Sequence, residues 1–100
     1  MPRNDTLTIP PRVWTQLTNA DVTAVSLQIL SNNPVAIAGT AGAVAPASGP
    51  GGSEAARILW PGDHLLATTF LTDLWPGVSG VNRLWAWAEG DGAKVAVSHA

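Results

Sequence analysis

Hydrophobic and polar positions alternate most clearly over residues 81–100, which read Val-Asn-Arg-Leu-Trp-Ala-Trp-Ala-Glu-Gly-Asp-Gly-Ala-Lys-Val-Ala-Val-Ser-His-Ala. In an extended chain Arg83, Trp85 and Trp87 point one way and Leu84, Ala86 and Ala88 the other. After Gly90-Asp91-Gly92, Val95 and Val97 alternate with Lys94, Ala96 and Ser98. Period-two alternation on both sides of a glycine turn predicts an antiparallel hairpin, with strands at 84–89 and 93–98 and at least one turn glycine at positive φ.

Upstream the pattern is less uniform. In residues 21–30, Val22, Val25 and Ile29 fit a helical stripe, while Val25, Leu27 and Ile29 alternate with Ser26 and Gln28 as in a strand. The β-branched residues and short length favour the strand. Asn32-Asn33-Pro34 then reads as a turn and 35–38 as a returning strand. Residues 5–18 mix Leu7, Ile9, Val13 and Leu17 with threonines and are broken by Pro10-Pro11. Proline cannot donate to a ladder, so residues 1–18 are expected to form an extended N-terminal arm and edge strand ahead of a single domain at 19–100.

Residues 39–53 are Gly, Ala, Pro and Ser with little else, and predict one long flexible loop, mobile over 43–53, whose first half can still pair as a strand. Structure resumes at 56–60, a further strand is expected at 64–70, and Leu71-Thr72-Asp73-Leu74 reads as one helical turn. Leu-Trp-Pro-Gly occurs at 59–62 and again at 74–77. Pro then Gly suits the centre of a type II turn, so the two copies are candidates for equivalent corners. About seven short strands at this spacing predict an all-β protein, an antiparallel, jelly-roll-like β-sandwich.

Composition changes the picture in several ways. A chain of 100 residues that is 46% hydrophobic makes one domain with a real core. Only 12% of residues are charged, roughly half the usual share, so the surface is covered by small and uncharged side chains or by other protein. The net charge of −2, with Arg3, Arg12, Arg57, Arg83 and Lys94 scattered, argues against nucleic acid. There is no cysteine, hence no disulfide or thiolate site. No run approaches the ~18 apolar residues of a membrane span, and the polar start, Met-Pro-Arg-Asn-Asp-Thr, contains no signal-peptide core. The expectation is a protein made in a cytoplasm and kept there, or exported without a cleaved signal.

Chemistry has few candidates. Asp63-His64 are neighbours, but adjacent strand residues face opposite ways, so an exposed turn pair is the expected reading. His64 and His99 are too few for a zinc site unless a symmetry axis gathers one per subunit. The acids Asp5, Asp21, Glu54, Asp63, Asp73, Glu89 and Asp91 fall mostly in turns, and no pair is placed for hydrolysis. No phosphate loop and no nucleophile elbow is present. No catalytic, cofactor or metal residue is assigned, and the chain is read as non-enzymatic.

Tryptophan is the enriched type: Trp14, Trp60, Trp75, Trp85 and Trp87. Trp85 and Trp87 share a face with Arg83, which is unusual for a core face, and Leu84, Ala86 and Ala88 form the alternative. The tryptophan face is therefore expected to pack in the core or meet a subunit; stacking on sugar rings is the rival reading. Interface candidates are Pro10, Pro11, Trp14, Arg83, Trp85 and Trp87, with an apolar face rimmed by Arg83, Glu89 and Lys94.

Several segments together resemble a family. Val-Thr-Ala-Val-Ser-Leu-Gln-Ile-Leu at 22–30, Pro34-Val35, the Gly/Ala/Pro-rich loop, Trp60-Pro61-Gly62-Asp63, Leu-Thr-Asp-Leu-Trp-Pro-Gly-Val at 71–78, Arg-Leu-Trp-Ala-Trp-Ala at 83–88 and the closing Val-Ser-His-Ala look like small virion proteins of tailed phages of alphaproteobacteria and of gene transfer agents. The similarity runs from about residue 20 to the end of the chain. It implies a β-rich accessory part of the particle, a head decoration or cement protein or the base of a head spike or fibre. It further implies a homo-oligomer, assembled in the bacterial cytoplasm, that contacts the major capsid protein or other virion proteins and, in a spike, a host surface glycan. A carbohydrate-binding β-sandwich module with Trp85, Trp87 and Trp60 as platforms is the alternative.

Overall fold

The computed structural model describes residues 3–46, 56–65 and 70–99. Among the described residues eight strands and one helical turn follow in chain order: β1 (Arg3–Ile9), β2 (Thr15–Gln16), β3 (Ser26–Ile29), β4 (Val35–Thr40), β5 (Arg57–Leu59), β6 (His64–Leu65), α1 (Leu71–Leu74), β7 (Arg83–Ala88) and β8 (Ala93–His99). They form two four-stranded antiparallel sheets, ordered β1-β8-β3-β6 and β2-β7-β4-β5. The expected all-β sandwich of short antiparallel strands is present.

The pairing has a simple rule. First pairs with last, second with second-last, third with sixth and fourth with fifth. The chain is thus one long hairpin, rolled so that successive strand pairs fall in alternate sheets. β3–β8 and β4–β7 pairing closes each sheet. This is the jelly roll. Among these strands, only β4 and β5 are consecutive and share a sheet, and the Gly/Ala/Pro-rich segment joins them. Of that segment, residues 47–55 lie outside the described residues, and so does most of the stretch expected to be mobile.

The expected hairpin at 84–98 is not one. β7 and β8 belong to different sheets, and Gly90-Asp91-Gly92 is a corner between layers. Alternation reports which way a side chain points, not which strand lies beside it. Leu84, Ala86 and Ala88 oppose Val95 and Val97 across the core, and all five are fully or almost fully buried. The glycine requirement survives the change of partner. Gly90 and Gly92 have φ of 62° and 88°, and the Gly92 N–H closes the turn onto the Glu89 carbonyl at 3.2 Å. Likewise 35–40 does not return beside 26–29: β3 and β4 sit in opposite sheets, with Asn33 Nδ2 donating to the Gly92 carbonyl at 2.7 Å between two corners.

The N-terminal segment is also more integrated than expected. All seven residues of β1 pair with β8, from Arg3 opposite His99 to Ile9 opposite Ala93. Pro10 and Pro11 end that strand and turn the chain into β2 in the other sheet, with Pro11 bridging Ala88. Both strands are edges, as the prolines required, but residues 3–9 are sheet and not a free arm.

The core lies between the layers. Ile9, Leu17, Val25, Ile29, Val35, Ile37, Leu71, Leu84, Val95 and Val97 are almost completely buried. Each contributes roughly 1.5–3 kcal/mol of transfer free energy. α1 forms as expected and caps one end, with Leu71 buried and its N–H donating to the Thr23 carbonyl at 2.9 Å. The two Leu-Trp-Pro-Gly copies diverge. At 59–62, Gly62 takes φ 88° and Asp63 N–H closes onto the Trp60 carbonyl at 2.9 Å, a type II turn with Trp60 60% exposed. At 74–77, Gly77 is not at positive φ, and Trp75 is 3% exposed within the core. The copies are not equivalent corners.

Candidate functional site

With the cores of both sheets turned inward, two outer faces remain. On the β2-β7-β4-β5 sheet, the register places Thr15 opposite Ala86, so Trp14 follows on opposite Trp87; Ala36 lies between Trp87 and Ile58. Trp87, Ala36 and Ile58 make one row across β7, β4 and β5, which Trp14, just ahead of β2, extends. The Trp14 and Trp87 rings meet edge to face, 5.4 Å apart at 61°. The next row holds Gln16, Trp85 and Ala38, and the third Arg83 and Thr40.

Small residues under large ones explain the burial pattern here. Ala36 and Ala38 face outward, yet are 4% and 2% exposed, because Trp87, Trp85 and Ile58 rise on either side. Trp85 is 8% exposed, and its Nε1 donates to Thr40 Oγ1 at 2.8 Å, which in turn donates to the Gly42 carbonyl at 2.9 Å. Arg83 Nε holds Asp21 Oδ1 at 2.9 Å. Trp87 is half-buried, its Nε1 donating to Glu89 Oε2. Beside it a shallow groove of about 110 Å³ is walled by Pro34, Ala36, Ile58, Trp87 and Glu89. Ile58 is 50% exposed.

Of the residues singled out from sequence, Trp14, Arg83, Trp85 and Trp87 are brought together on this face. Pro10 and Pro11 stand at the adjoining corner, both exposed. Lys94 is not on the rim: it lies on β8, opposite Thr8, on the other sheet. Ile58, Ala36 and Ala38 were not legible as part of the face, since their place depends on the β4–β5 and β4–β7 registers. Trp85 offers no open ring face for sugar stacking, and Trp87 is engaged by Trp14.

The remaining chemistry-bearing residues are dispersed. The Asp63 carboxylate accepts the Trp60 N–H at 2.9 Å and so serves the turn, while His64 is exposed on the opposite sheet. His99 is 7% exposed, with the Asn19 N–H 3.5 Å from its Nε2. Among the described residues no three His, Asp or Glu side chains gather as a metal site, and no helix is long and apolar enough to cross a membrane.

Eight strands rolled in this order define the chain as a jelly-roll domain with one apolar, tryptophan-bearing outer face. Comparison with protein-family models, with curated proteins and with solved structures finds no match.

Proposed function

We propose that this chain is a non-enzymatic structural protein that assembles through the outer face of its β2-β7-β4-β5 sheet, as an oligomeric accessory protein of a phage-like particle. The observation that carries the assembly reading is the apolar row of Trp87, Ala36 and Ile58, extended by Trp14 and half open to solvent at Ile58. Apolar side chains left open to solvent beside partly buried tryptophans are characteristic of interaction surfaces, and tryptophans dominate the energetics of such contacts. The low charge of the chain supports the same reading, since charged residues are depleted at interface centres.

The particle context rests on the sequence resemblance described above: a head decoration, cement or spike-base protein, meeting copies of itself and the major capsid or another virion protein. Within that reading the half-buried Trp87 and the exposed Ile58 are the anchors. Trp85, in the next row of the same face, ties β7 to β4 through its bond to Thr40.

Native mass measurement of the purified chain, alone and mixed with particles lacking it, tests the proposal. An oligomer or particle-bound chain that is lost on Ile58→Asp, with circular dichroism unchanged, is the expected result. A chain that stays monomeric at high concentration and does not sediment with particles overturns it.

A further inference from the structure

The outer face of the other sheet is built from different chemistry. Its alternating positions are Asn4, Thr6 and Thr8 on β1, Lys94, Ala96 and Ser98 on β8, Ser26 and Gln28 on β3, and His64 on β6. The registers align them in two rows: Thr6–Ala96–Gln28–His64 and Asn4–Ser98–Ser26. Short side chains, Ala96, Ser98 and Ser26, make a floor. Longer ones stand on both sides, Asn4 and Thr6 toward one edge, Gln28 and His64 toward the other. The result is an open groove of about 470 Å³ on this face. Its lining spans three interstrand steps of roughly 4.8 Å, about 14 Å from β1 to β6.

The geometry points to this groove as a binding site for a neutral saccharide, on the sheet opposite the assembly face. Three features of the lining select that ligand class. Hydroxyls, carboxamides and one imidazole can both donate and accept, which matches vicinal hydroxyl groups. No Arg or Lys lines the groove, and Asp5, of the opposite phase on β1, is paired with Arg3, so phosphate, sulfate and nucleic-acid ligands lack a counter-charge. No large apolar side chain projects into it, so an apolar peptide gains little there. The volume falls within the roughly 300–1,000 Å³ of small-molecule sites, and its open form admits a short oligosaccharide. The polar groups sit on paired strands, which holds their spacing fixed before a ligand arrives.

Backbone amide NMR shifts of the free chain, titrated with maltohexaose, cellohexaose, mannohexaose and chitohexaose, test the inference. At least one of these neutral probes is expected to move the amides of β1, β3 and β8 around residues 4, 6, 26, 28 and 98, with saturable millimolar-to-micromolar affinity. Gln28→Ala is expected to weaken that binding about tenfold, by removing hydrogen bonds to the sugar. Ala96→Leu, which fills the floor while keeping a strand-forming residue, is expected to abolish it. Unchanged amide dispersion in both variants shows that the sheet is intact. Three results overturn the inference: no shift with any of the four probes, shifts confined to Trp60, Trp87 and their neighbours, or binding unaffected by Ala96→Leu. Because the probe acts on the isolated chain, failure here leaves assembly through the tryptophan face standing, and loss of assembly leaves this site standing.

Discussion

The six-membered ring of Trp75 lies directly over Gly39: a Cβ at that glycine would stand 3.0 Å from both Cδ2 and Cε3 of the indole and 2.7 Å from Val81 Cγ2. Gly39 faces the core from β4, opposite Leu84, and its missing side chain is the space the ring occupies. Gly39→Ala is therefore expected to destabilise by about 1–3 kcal/mol through overpacking. For a chain of this length that corresponds to a fall in Tm of several degrees. Gly77→Ala is the control, since nothing stands within 4 Å of a Cβ there and its φ is not positive. Equal melting temperatures for the two variants would remove the packing argument.

The corner glycines are expected to differ from each other. Gly92 combines φ 88° with a Cβ position only 2.5 Å from the Ile9 carbonyl oxygen, backbone at the end of β1. Gly90 has φ 62° and open space, with Asn33 Nδ2 nearest at 3.9 Å. Gly92→Ala should cost more than ~1 kcal/mol, from both left-handed strain and the clash. Gly90→Asn should stay within about 0.5 kcal/mol, because asparagine tolerates that conformation. Urea denaturation of both variants checks the order; a reversed order contradicts the corner geometry.

Identical tetrapeptides place their tryptophans in opposite environments. Trp75→Ala empties a core position and is expected to cost about 3–5 kcal/mol, sufficient to unfold a marginal domain. Trp60→Ala, at a 60% exposed site, should change stability by no more than about 0.5 kcal/mol. Acrylamide quenching supplies a second measure: removing Trp60 should lower the quenchable fraction of the emission, and a Trp75→Phe variant should not.

The edge-to-face contact of Trp14 and Trp87 joins the edge strand β2 to β7. A double-mutant cycle with alanine at both positions should return a coupling of roughly 0.5–1.5 kcal/mol beyond the area lost. Trp85→Phe, by contrast, removes the Nε1 bond to Thr40 and should cost about 0.5–1.5 kcal/mol without affecting that coupling. Coupling near zero means that Trp14 holds its place through other neighbours.

Much of the local conformation was legible in the chain. Alternation in 83–88 and 93–99 separated the two faces of each strand, and the structure then turned Leu84, Ala86, Ala88, Val95 and Val97 inward. The one helical turn at 71–74, a positive φ in the Gly90–Gly92 turn, and the edge placement forced by Pro10-Pro11 were also readable, while of the two Pro-Gly copies only Gly62 took the positive φ that both suggested. Each is set by the backbone and side chains of a few consecutive residues. The interface candidates Trp14, Arg83, Trp85 and Trp87 were found by residue type and alternation. Ile58 and Ala36 were missed because nothing within 56–60 or 35–38 announces which face the register will give them.

What only the tertiary structure decided is the choice of partner. A strand with one apolar face pairs equally well, as far as its own residues show, with its neighbour in sequence or with a strand sixty residues away. Backbone hydrogen bonds are the same for any partner, and only simultaneous closure of two layers around Leu84, Val95 and Ile37 selects β1 with β8 and β2 with β7. For the same reason the tetrapeptide at 59–62 and its repeat at 74–77 could not reveal that Trp60 faces water and Trp75 fills the space above Gly39. Nor could the polar positions Asn4, Thr6, Ser26, Gln28, His64 and Ser98 be seen as one groove. They come from four segments spread along the whole chain, and only the rolled hairpin lays those segments side by side.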